Sequence, residues 1–161
     1  MAAVRYDADA AVADLIEKTA PGVHARRDRV EVGAGGFTGD HPRKSWWRGK
    51  EVPGRDVTAM AAEVLEAIGV SADVPGDNLI TRGVDLGALE AGDRLMIGEV
   101  VLTRSRKPHS PCDVFARRTS AAAMRAVAST NTRGALFVVE KTGTISRGDA
   151  IRVVRGGDGG A

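Results

Sequence analysis

Ala91-Gly92-Asp93-Arg94-Leu95-Met96-Ile97-Gly98-Glu99-Val100-Val101-Leu102-Thr103-Arg104 is the stretch on which the fold class turns. It holds two short runs of strand formers, 93–97 and 99–104, with Gly98 between them and a Gly-Asp turn ahead. The same texture extends on both sides, in runs at 78–81, 135–141, 144–146 and 150–154. Glycine-containing turns separate most of these runs. Short strands at regular spacing predict a mainly β (α+β) fold whose sheet closes, or nearly closes, into a barrel. One helix interrupts the series at 120–129, rich in alanine and capped by Thr119 or Ser120.

The N-terminal third reads differently. Ala11, Val12, Leu15 and Ile16 recur at helical spacing and predict a helix over 9–18, ended by Pro21-Gly22. A short strand is expected at 29–32. The glycine-dense segment from Gly33 to His41 reads as a tight turn that could present Asp40 and His41 to a cleft. Residues 42–54 are polar and basic and are expected to be irregular, with Trp46 and Trp47 as core or cleft-wall residues. Asp56 is the expected cap of a helix over 57–68, closed by Gly69.

Composition narrows the function classes. The 161 residues suffice for one domain with its own core. With 23 Lys and Arg against 21 Asp and Glu, the charge balance does not suggest a nucleic-acid partner. Aromatics at 4% leave few stacking residues for single strands. No apolar run is long enough to span a membrane, and the first residues lack the layout of a signal peptide. One cysteine fits a reducing compartment, and the expected location is cytoplasmic.

That cysteine, Cys112, lies in Arg104-Ser105-Arg106-Lys107-Pro108-His109-Ser110-Pro111-Cys112-Asp113. Two prolines in a polar, basic run predict a loop rather than a core strand. Nearby cations favour the thiolate, which is both the nucleophile and the metal ligand. A reactive or ligating cysteine is the reading set against an incidental half-buried thiol. His41, His109, Cys112 and Asp40 are zinc-ligand types, but no Cys-x-x-Cys and no paired histidines support a zinc site, and zinc is not expected. A nucleophilic pair of Cys112 with His109 or His41 is the minor alternative. Arg82, Arg104, Arg106, Lys107, Arg117 and Arg118 bracket the cysteine in sequence and suit an oxyanion if they converge.

Gly76-Asp77-Asn78-Leu79-Ile80-Thr81-Arg82 resembles the Gly-acidic-Asn-Leu segment of the MOSC family, named for the C-terminal domain of molybdenum cofactor sulfurase. In the same order follow Ala91-Gly92-Asp93, Ile97-Gly98, the basic Pro-Cys motif in Arg106-Lys107-Pro108 and Pro111-Cys112, and Gly143-Thr144-Ile145 with Gly148-Asp149. Gly36-Phe37-Thr38-Gly39-Asp40-His41 is similar to the family's glycine-Asp-His turn. The resemblance covers most of 33–154. It implies a stand-alone MOSC-like β-barrel over 33–155; the helix and strand read from the residues at 1–32 would pack on it, and the glycine-rich 156–161 reads as a disordered tail.

The resemblance also implies function. Cys112 would carry sulfur as a persulfide, taken from a cysteine desulfurase-type donor that uses pyridoxal phosphate. Alternatively it would ligate molybdenum in a bound molybdopterin cofactor, in a reductase of N-hydroxylated compounds served by a redox partner protein. Asn78, Arg82, Arg106, Lys107, Asp40 and His41 would be the cofactor-binding residues. A barrel that merely binds an oxyanion or a protein is the non-catalytic alternative. One departure stands out: His109-Ser110 separates Lys107-Pro108 from Pro111-Cys112, where many members run a basic residue straight into Pro-Cys.

Overall fold

The structure is a computed structural model and describes residues 1–156; of the tail expected at 156–161, residues 157–161 lie outside the described residues. An eight-stranded mixed sheet organises the chain. Its strands are β1 (Ala11–Ala20), β2 (Val23–Arg27), β7 (Val57–Ala61), β8 (Leu79–Arg82), β9 (Arg94–Ile97), β10 (Val100–Arg104), β11 (Ala135–Lys141) and β13 (Arg152–Val154). They run in the order β13-β9-β10-β11-β7-β8-β1-β2. Only β7 and β8 pair in parallel; every other neighbour in that sheet is antiparallel. A smaller sheet joins β12 (Gly143–Ser146), β3 (Arg29–Gly33) and β4 (Gly36–Phe37), and a hairpin pairs β5 (Trp46–Trp47) with β6 (Lys50–Glu51).

The mainly β expectation holds, and the runs read as strands from 78 onward recur within one or two residues of their expected bounds. The sheet is not a closed barrel. The segment just before β13 meets the start of β1 through an isolated bridge, Ala11 to Ala150, with bonds from Val12 N to Asp149 O (2.9 Å) and Ile151 N to Ala10 O (2.9 Å). The core is mainly aliphatic, with Leu15, Ile16, Met60, Leu79, Ile80, Leu95 and Leu102 fully buried together with Phe115 and Phe137. No helix among the described residues is long and apolar enough to cross a membrane.

Two expected helices are corrected. Residues 11–20 form β1, not a helix, and a bulge explains the misleading spacing. Val12 pairs with Thr81 and Leu15 with Leu79, so the register shifts between Val12 and Asp14. Successive strand residues alternate faces, and one extra residue reverses the alternation. Val12 and Leu15 therefore share a face at the spacing a helix would give. Ile16 is buried on the opposite face, as the sheet is covered on both sides there. Residues 57–61 likewise form β7, entirely buried between β11 and β8, and only Ala62–Ile68 is helical, as α1. Asp56 does not cap α1; its Oδ2 accepts from Val139 N (3.1 Å). Gly69 does close the helix, in the left-handed conformation.

The expected helix near 120 is α3 (Ala121–Thr130), and Ser120 is its cap, its Oγ accepting from Ala123 N (3.0 Å). A further short helix, α2 (Asp113–Arg118), follows Cys112 directly. The tryptophans are neither core nor cleft wall. Trp46 is 40% and Trp47 58% exposed, and each carries a stacked guanidinium, Arg43 on Trp46 and Arg48 on Trp47.

Candidate functional site

The site is assembled at the start of β8, where three segments meet. Asp77 and Asn78 enter the sheet there, β1 passes alongside, and the loop from β10 to α2 folds over the top. Asn78 is fully buried. Its Oδ1 accepts from Thr58 N (3.3 Å), and its Nδ2 donates to Ile16 O (3.1 Å) and to Asp40 Oδ2 (2.9 Å). Asp40 in turn accepts from Lys18 N (2.7 Å) and pairs with Lys44 Nζ (3.0 Å). The glycine turn thus delivers Asp40 to Asn78. His41 goes elsewhere: its N–H donates to Lys18 O (2.7 Å) and its Nδ1 accepts from Arg43 N (3.3 Å).

Asp77, beside Asn78, anchors a second group. Its Oδ1 bonds His109 Nε2 (2.7 Å) and its Oδ2 accepts from Arg133 Nη1. All three side chains are nearly sealed from solvent. Burial opposes the charge on Asp77, but Arg133 and His109 more than offset it and hold the carboxyl well below the usual range. Burial, and then the Arg133 cation, push His109 down to about 4, so it is neutral at pH 7. A carboxylate only accepts, so the neutral ring carries its proton on Nε2. The Arg133 guanidinium also lies over the Phe115 ring, 4.7 Å from its centroid.

Cys112 ends the loop that contains His109. The thiol is free and exposed, and its carbonyl accepts the first helical bond of α2 from Ala116 N (3.1 Å). It makes no hydrogen bond with His41 or His109, so the nucleophilic pair is not formed. The zinc-type residues are not gathered either: among the described residues no three His, Cys, Asp or Glu side chains cluster to hold a metal ion. Arg106 and Lys107 are exposed on the Cys112 loop. Arg82 faces α1 instead, bonded to Glu66.

A cavity of about 230 Å³ opens behind the loop, walled by Pro108, His109, Ser110 and Pro111 on one side and Val127, Ala128 and Asn131 of the α3 end on the other. Arg104 and Arg133 line it, and each has a buried Nε without a hydrogen-bond partner. A larger open groove of about 460 Å³ beside the N-terminal residues includes no part of the Cys112 loop.

Residues invisible to the motif reading complete the site. Lys18 lies directly across from His24 in the β1–β2 pairing. Burial pushes the Lys18 amine down to about 8, against the partial support of Asp40. His24 Nδ1 donates to Asp73 O (2.6 Å), which leaves Nε2 facing Gly76. A Cβ at Gly76 would lie 2.7 Å from Arg118 Nη1 and 2.8 Å from His24 Nε2, and φ there is +90°. Only glycine suits that position. Lys18, His24 and Arg133 carry no local motif; their hydrogen-bond partners Asp40, Asp73 and Asp77 are 22, 49 and 56 residues away.

Residues 52–152 match the MOSC domain family. The chain belongs to that family. No curated protein is similar enough in sequence to match. Solved structures share the fold. The YuaD protein from Bacillus subtilis superposes with a TM-score of 0.71 at 22% identity, over 91% of this chain and 96% of that one. YiiM from Geobacillus stearothermophilus gives 0.65 at 20% identity, over 91% and 75%. YiiM from Escherichia coli gives 0.61 at 19%, over 88% and 69%. In this MOSC domain the matched span contains Asp77, Asn78, Cys112 and Arg133, while Lys18, His24 and Asp40 lie before it.

Proposed function

We propose that this MOSC domain handles molybdenum or sulfur through Cys112, by ligating the metal of a bound molybdopterin or by carrying sulfane sulfur as a persulfide. The observation that carries the reading is an exposed, unpaired thiol at the end of a loop that walls an arginine-lined cavity. The residues fit the cofactor in two respects. A thiolate is a soft ligand suited to such a metal, and a metal at Cys112 would take its other donors from the cofactor. Arg104 and Arg133 each keep an unpartnered Nε–H beside a small cavity, and guanidinium groups suit phosphate.

The cavity is smaller than the ~300 Å³ of typical ligand pockets, so it fits an oxyanion or the phosphate end of the cofactor rather than the whole pterin. When bound, the group supplies redox chemistry at molybdenum. The chain's own residues would position it: Arg104 and Arg133, which line the cavity, would hold the anionic end, and exposed Arg106 and Lys107 on the same loop would add positive charge nearby. Asp40 and Asn78 satisfy one another, which supports a scaffolding role beneath the site more than direct contact.

In the carrier reading the Cys112 thiolate attacks the outer sulfur of a donor persulfide. The donor S–S bond breaks, the donor leaves as its thiolate, and no net oxidation occurs. A cysteine desulfurase-type protein of the reducing cytoplasm would be that donor.

The deciding experiment is elemental analysis of wild type and Cys112→Ser purified from a host that makes the pterin cofactor. Near-stoichiometric molybdenum in wild type, lost in the serine variant, is the expected result for the metal-binding reading. Molybdenum in neither, with a persulfide on wild-type Cys112 by intact mass, selects the carrier. Neither mark on wild type would overturn the proposal.

A further inference from the structure

We propose that His109 is a positioning residue for Cys112, and that its hydrogen bond to Asp77 is the anchor that sets the loop in place. The proposal deepens the reading of Cys112 as the working thiol and rests on it.

The loop has little else to hold it. From Arg106 to Cys112 there is no strand or helix. Lys107 N bonds Ser105 Oγ (3.1 Å), a contact within the loop's own start. Among the described residues, the His109–Asp77 bond is the one hydrogen bond from residues 106–112 to the sheet. Pro108 and Pro111 narrow the loop's conformations but form no bond that fixes its place.

The anchor point is well made. Asp77 is buried and immobilised by Arg133, so it offers His109 an acceptor of fixed direction. The ring also packs on backbone, since a Cβ at Gly134 would meet its Cδ2 at 3.3 Å. Arg133 then lies over Phe115 in α2. Cys112 is thereby bracketed: the third residue before it and the third after it both rest on the Asp77–Arg133 pair. The backbone of Cys112 is fixed from both sides while its thiol stays exposed.

His109 belongs to the dipeptide that separates the two halves of the basic Pro-Cys motif in this chain. A longer loop is a looser one. The extra length here brings its own tether, which turns the departure from the family pattern into a second way of presenting the cysteine.

The test is amide hydrogen exchange on wild type, His109→Ala and His109→Gln, read by peptide across 106–119 and across the sheet. The expected result is exchange in the Cys112 loop and first turn of α2 about tenfold faster in His109→Ala, with the sheet unchanged and protection largely restored by His109→Gln, whose amide keeps a donor. Should His109→Ala not fold, His109→Leu fills the same space without a donor and gives the same comparison. Unchanged loop exchange would overturn the proposal. So would loosening that His109→Gln leaves unrescued, because packing rather than the bond would then hold the loop. Alkylation of Cys112 in native wild type separates the two readings. A thiol inert until unfolding sinks the function of Cys112 but leaves the exchange result to judge the tether.

Discussion

Asn78 shows how a motif residue can be spent on architecture. Its amide ties β7, β1 and the Asp40 turn together at a point with no solvent access, and each of its donors and its oxygen is engaged. Asn78→Ala would leave the Thr58 N–H, the Ile16 carbonyl and Asp40 short of a partner. A loss of about 2–4 kcal/mol is expected, given the cost of orphaning several buried polar groups. Urea unfolding at neutral pH measures it. Asn78→Asp should be worse, because it replaces a donor to Asp40 with a second carboxylate. A midpoint close to wild type in either variant would mean that Asn78 is held for contact with a ligand rather than for the fold.

Elements matter here through what they wall in. α3 is capped by Ser120 and ends at Asn131, in the left-handed conformation, so its last turn forms the far side of the arginine-lined cavity. Ser120→Ala removes the cap and should cost about 1 kcal/mol, seen as a lower thermal midpoint with the sheet intact. The effect stays small because Ala123 and Val127 still bury the helix against the core. β1 teaches a different lesson about elements. Its apolar spacing suits a helix equally well, and the choice falls to a bulge that exists only because β8 lies beside it. β7 is similar: Val57, Ala59 and Met60 could start a helix, but a place between β11 and β8 satisfies their backbone and buries every side chain.

At the scale of the whole molecule, the buried ionisable groups give the stability curve its shape. His109 is held down to about 4 from 6.5, by burial first and then by Arg133, while Asp77 and Arg55 also face it. Between those values the unfolded chain binds more protons than the folded one, so stability falls as pH drops through this window. Asp77, held low by its two partners, extends the loss to more acid pH. Lys18 acts on the alkaline side. Its amine is at about 8 in the fold against an ordinary 10.5, so the unfolded chain again holds the extra proton, and stability should rise from about pH 8 toward 10.5. Urea unfolding across pH should show both slopes, with His109→Gln flattening the acid one and Lys18→Met the alkaline one. An unchanged slope in either variant would assign that titration to another group.

Local chemistry was enough for much of this protein. The strands from β8 onward, α3 with its serine cap and the exposed Cys112 loop follow from strand formers, turn residues and capping preferences, which act over a few residues. The tertiary structure alone decided the rest. β1 and β7 are strands because of their neighbours, and the Asp77–His109–Arg133 cluster draws on segments separated by 32 and 56 residues. Hydrophobic spacing carries no sign of a bulge, and a single histidine carries no sign of its acceptor. Both depend on which backbone lies alongside, a property that the folded sheet possesses and no short window of sequence contains.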